Sequence, residues 1–108
     1  MKRMKRIGLF LIILYSSSIT AQQDSGADLY DHRCGLCHRG GGPGTFMLER
    51  RLGEAQSILE ERNNLTEVYI NQVVRWGIGS MPRVCRGEIS DPELERITSY
   101  LIESSRNN

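Results

Sequence analysis

Apolar residues recur along this chain at spacings of three and four, and no segment alternates with the period of two that marks a strand. Gly26, Tyr30, Cys34 and Cys37 fall on one side of a helix at spacings of four, four and three, which predicts a helix over residues 26–37. Residues 39–44, Arg-Gly-Gly-Gly-Pro-Gly, predict a loop. Residues 46–62 predict one or two short helices broken near Gly53. Asn64 and Glu67 look like a cap pair opening a helix over about 65–76, with Tyr69, Ile70, Val73 and Val74 as its apolar stripe. Residues 77–89 return to loop. Ser90-Asp91-Pro92-Glu93 is a capping box with proline in the first turn. It opens a last helix that carries Leu94, Ile97, Tyr100 and Leu101 on one face. There are no internal repeats. The expected class is all-α, with three main helices plus short helices and loops.

The first 21 residues break this pattern. Lys2, Arg3, Lys5 and Arg6 precede an apolar run from Ile7 to Tyr15, and small residues lead to Ala21. This is the layout of a cleaved secretory signal peptide. A membrane anchor is the rival, but a spanning helix needs about 20 apolar residues. The expected organisation is a signal peptide at 1–21 and one domain at 22–108, exported to the periplasm with no membrane span in the mature chain. A domain that small buries a modest core and often needs a covalent staple or a cofactor.

Charge narrows the partners. Residues 22–108 hold ten arginines, no lysine and thirteen carboxylates, a net charge of −3. Nucleic-acid binding wants a basic surface and is not expected. Any cationic docking patch has to be built from arginine, which pairs in fixed, bidentate geometry.

The chemistry sits at Cys34-Gly35-Leu36-Cys37-His38. The pattern C-x-x-C-H is the attachment site of a c-type haem. Two thiols three residues apart can form thioethers to the two vinyl groups of one porphyrin, and the adjacent imidazole then reaches its iron. A thioredoxin-like pair would need a βαβ context, and no β-rich run surrounds it. A structural zinc normally needs four ligands, and outside the motif only Cys85 and His32 remain. The expected cofactor is one covalently attached haem c.

The chain resembles the small monohaem class I cytochromes c over essentially all of residues 22–108. Gly26 and Tyr30 precede Cys34 by eight and four residues, where that family places a small residue and an aromatic. Ile97 and Tyr100 match the positions where its last helix crosses its first. Val74-Arg75-Trp76-Gly77-Ile78-Gly79-Ser80-Met81-Pro82 looks like its distal-ligand loop, and residues 88–94 like the start of its final helix. The resemblance implies the small cytochrome c fold wrapped around one haem. His38 is then the proximal iron ligand and Met81 the distal one. Thioether sulfur is a soft donor, and Met/His ligation raises the haem potential. Met47 is the competing thioether, but its apolar helical setting suits a core filler. His32 lies too close to Cys34 to swing to the far side of the haem and reads as a surface residue. The resemblance also makes the Pro43 carbonyl the acceptor for the His38 ring, and Arg75 and Trp76 donors to a propionate. Cys85 is left over and is expected to be a mostly buried thiol.

With both axial positions filled, no site is open to a substrate. The expected function is therefore one-electron transfer, not enzyme catalysis, between a periplasmic dehydrogenase or membrane complex and an oxidase or cytochrome acceptor. The chain would act as a monomer or as a subunit of a heteromeric complex, and the resemblance extends to cytochrome subunits of flavin- or quinone-dependent dehydrogenases. The alternative is a five-coordinate haem protein acting as a gas sensor or haem enzyme, which requires that Met81 does not bind.

Overall fold

The computed structural model describes residues 22–108, all of them outside strands. The signal peptide expected at 1–21 lies outside the described residues. Helix α1, Gly26–Arg33, is opened by a Ser25–Asp28 capping box. That S-x-x-D signal stands in the sequence. The single helix expected over 26–37 is two. Cys34 takes φ −117° and breaks it. Its N–H still closes on Tyr30 O at 2.8 Å, while its own carbonyl accepts from Cys37 N and His38 N at 3.1 and 3.0 Å. A new short helix α2, Gly35–His38, thus starts from the first cysteine.

Helix α3, Pro43–Leu52, begins two residues inside the expected loop, with proline in its first turn. Proline fits there because its missing N–H has no partner to lose. As expected, α3 stops at Gly53, whose φ of +90° suits glycine. Two 3-10 turns follow, Glu54–Gln56 and Leu59–Glu61. Helix α4 is Glu67–Trp76 and its cap is Thr66, which accepts from Tyr69 N at 3.2 Å. Asn64 is not the cap, because its side chain accepts from Arg62 Nε at 3.1 Å instead. Helix α5, Asp91–Arg106, opens on the expected Ser90–Glu93 capping box.

The core is one cluster: Leu29 and Tyr30 of α1, Ile70 and Val74 of α4, Ile89, and Leu94, Ile97 and Leu101 of α5. The largest helix contact is α1 against α5. Gly26 makes it possible. A Cβ there would lie 2.9 Å from Tyr100 Cβ and would strike the Arg96 carbonyl. Close by, the Tyr30 and Tyr100 rings meet at a tilt of 44°, with 5.6 Å between centroids. The expected crossing through Ile97 and Tyr100 is therefore the one observed. Gly26→Val should force the helices apart and cost about 1–3 kcal/mol, the usual range for overpacking. Thermal unfolding of the haem-loaded protein checks this, and an unchanged melting temperature would refute the crossing. Cys34, Leu59, Leu65, Met81 and Val84 pack on the rim of the same cluster. Among the described residues no helix is long and apolar enough to cross a membrane.

Candidate functional site

The proximal half is built on α2. Cys34 is half-buried and Cys37 exposed, and both are free thiols. Burial, followed by the neighbouring Cys37, pushes the Cys34 thiol up to about 11. Burial also lowers the His38 pKa, favouring the neutral imidazole, which is the form that binds metal. His38 Nδ1 is buried without a hydrogen-bond partner. The bond expected from Pro43 is thus not made. Pro43 is an exposed first residue of α3, and its carbonyl belongs to the first turn of that helix.

The glycine loop folds tightly over α2. A Cβ at Gly42 or Gly44 would lie 2.5 or 2.8 Å from Cys37 O, so only glycine fits either place. Arg39 O accepts from Gly42 N and Thr45 Oγ1, both at 2.8 Å. An Arg39–Asp31 ion pair ties α2 back to α1.

The distal half is the loop after α4. Gly77 takes φ +76° and ψ 166°, a region that is essentially glycine's alone. A Cβ there would meet Met81 O at 2.7 Å and Arg83 N at 2.9 Å. Ile78 and Met81 exchange N–H···O bonds of 3.1 and 2.9 Å across a tight turn, and Val84 N donates to Val74 O at 2.8 Å. Met81 is thereby set half-buried on the core rim.

Arg75 holds this loop in place. Its Nη1 donates to Val84 O and Ile89 O at 3.2 and 2.9 Å, and its Nη2 to Asp91 at 2.8 Å. Arg75 acts as a staple, since these three bonds join α4, the loop and α5, and its buried Nε keeps no partner. Trp76 stands largely exposed (78%) on a cleft of about 360 Å³ shared with Tyr69, Gln72, Val73, Gly77 and Ile78. Gly77→Ala should strain the Met81 turn and weaken Met–iron ligation. The check is loss of the weak long-wavelength ferric band, and an unchanged ferric spectrum would show that the turn tolerates a side chain.

The other candidates separate clearly. Met47 is 41% exposed on α3, so it is not a core filler. His32 is a surface residue whose Nδ1 lies 2.8 Å from Asp28 O within its own helix. Cys85 is exposed, contrary to expectation, and its N–H donates to the Glu88 carboxylate at 2.9 Å. Reading the sequence missed Arg62, which is only 5% exposed. Nothing in one dimension distinguishes it from the other arginines. The donor set fits a covalently held haem: two thiols and an imidazole at the cap and within one short helix, with a soft thioether on the rim of the core cluster that Cys34 also borders.

Comparison with known proteins agrees. Residues 21–101 match the family model described as cytochrome C oxidase, cbb3-type, subunit III. The cytochrome c subunit of 4-cresol dehydrogenase (hydroxylating) of Pseudomonas putida is 32% identical over 94 residues, which are 84% of this chain and 70% of that one. Among solved structures, p-cresol methylhydroxylase with substrate bound matches at a TM-score of 0.53 and 34% identity, over 72% of this chain and 89% of the other.

Proposed function

Because this chain belongs to the cytochrome c domains of the cbb3-type oxidase subunit III family, which carry covalent haem c and transfer single electrons, we propose that it is the cytochrome subunit of an exported, periplasmic dehydrogenase. The observation that carries the proposal is the similarity to a dehydrogenase's cytochrome subunit over 84% of the chain. The haem supplies a one-electron iron couple. The protein supplies its hold and its setting. Cys34 and Cys37 anchor it, His38 offers a neutral imidazole from the attachment helix, and Met81 offers a thioether from the loop that Arg75 and Gly77 shape. A thioether favours the ferrous state and so raises the potential.

The test is capture of the tagged, haem-loaded chain from periplasm. A flavin- or quinone-dependent dehydrogenase should come with it, and adding that enzyme's substrate should reduce the haem. Recovery of a lone cytochrome that no dehydrogenase reduces would end the subunit reading. Onward transfer from the reduced protein to a soluble acceptor should slow as salt rises, because screening reaches across about 10 Å at 0.1 M. A rate flat with salt would point to apolar docking.

A further inference from the structure

The loop that carries Met81 is secured at its far end by a charge that reaches the surface. Arg75 is the buried member, with its side chain 13% exposed. Its Nη1 clasps both ends of the turn at residues 85–88, through Val84 O and Ile89 O. Those carbonyls carry no net charge. Among the described residues, Asp91 is the one carboxylate paired with Arg75. Asp91 is the first residue of α5 and is itself 61% exposed. Its second oxygen accepts from Arg86 Nε at 2.8 Å. Arg86 and Arg75 hold the Asp91 carboxyl below the usual carboxylate range, so its charge is present at neutral pH.

A short covalent path runs from this pair to Met81. Val84 is gripped by α4 on both sides of its backbone: its N–H donates to Val74 O, and its carbonyl accepts from Arg75. Only Pro82 and Arg83 separate it from the turn that Ile78 and Met81 close. Release of Val84 therefore passes to Met81 through two residues.

The charge on Asp91 decides whether Val84 is held. Arginine does not shed its proton. Removing one partner of a buried pair costs far more than a surface pair contributes, because the remaining charge is left uncompensated. A guanidinium without Asp91 gains by turning out to water, and turning out gives up Val84 O and Ile89 O. We infer that Asp91 is a positioning residue for the distal iron ligand: it holds the Arg75 guanidinium inward, which keeps Val84 on α4 and Met81 closed over the haem. This inference rests on the reading of Met81 as that ligand. Asp91 has a plainer use too, since an acid in the first turn favours the helix it opens. That use would affect melting and leave the ligand alone.

The entry of unprotonated imidazole into the ferric, covalently loaded protein tests the inference. A new sixth ligand binds only after Met81 leaves, so at saturating imidazole the rate is that of loop opening. Wild type must show the weak long-wavelength ferric band and Met81→Ala must lack it. Any other result sinks the ligand reading and this inference with it, whereas the outcomes that follow bear on Asp91 alone. In Asp91→Asn, which keeps the Ser90–Glu93 cap, imidazole should enter about three- to tenfold faster than in wild type. Asp91→Glu should return most of the wild-type rate. Arg86→Gln leaves the pair with Arg75 and should open as wild type does. Should Asp91→Asn fail to mature, the wild type decides, because its partner is exposed and salt screens to about 3 Å at 1 M. Opening should then quicken with salt. A wild-type rate in Asp91→Asn, with or without earlier melting, would overturn the assignment. So would an Arg86→Gln as fast as Asp91→Asn, or a wild-type opening rate flat with salt.

Discussion

Replacing Cys34 and Cys37 with alanine together should yield a chain with no covalent haem and no stable fold. The motif is the only route to thioether attachment, since the remaining cysteine, Cys85, is exposed on the other loop. The domain is also small. Its fully enclosed apolar set is eight side chains drawn from three helices and one loop residue. A core that modest often needs a staple or cofactor to stay folded. The two single variants should differ. Cys34 packs on the rim of the core and breaks the helix at the right place, whereas Cys37 is exposed. Cys34→Ala should therefore be the more damaging. Haem staining on a denaturing gel and far-ultraviolet circular dichroism read out both effects. A double variant that matures with covalent haem would refute the attachment site.

Met81→Ala should keep its covalent haem, lose potential and let carbon monoxide or cyanide reach the iron. The fall should be on the order of 100 mV, a fraction of the roughly 0.8 V that axial ligands span. The fold should tolerate the change. The turn that presents Met81 is held by the backbone bonds between residues 78 and 81 and by the Arg75 staple, none of which uses the methionine side chain. Potentiometry and ligand titration give the answer. If the variant's spectrum and ligand binding match wild type, Met81 is not the ligand, and Met47, exposed on α3, becomes the next to change.

The features legible in the sequence are those whose cause is local. The Ser90–Glu93 box, the break at Gly53 and the C-x-x-C-H motif each depend on residues within a few positions of one another. The crossing at Gly26 was legible through family resemblance, and its physical reason is the lack of a Cβ. What escaped depends on distant partners. Asn64 carries the right chemistry for a cap, but Arg62 claims its side chain, and Thr66 caps instead. Arg75 is a staple because residues nine to sixteen positions later accept from its two terminal nitrogens, which no local pattern announces. Arg62 is buried by the fold around it, which no local pattern encodes. The bend at Cys34 belongs to the same class, because the periodicity of residues 26–37 is continuous through it.

The notch at Gly26 also ties the two ends of the domain together. It joins the first described helix to the last, so a contact with no room for a Cβ spans most of the domain. Closing the chain over that length costs entropy that the packing of α1 on α5 has to offset. The helix that leads into the two thiols is thereby held by the far end of the chain, and a change in the last helix reaches the attachment motif without touching it.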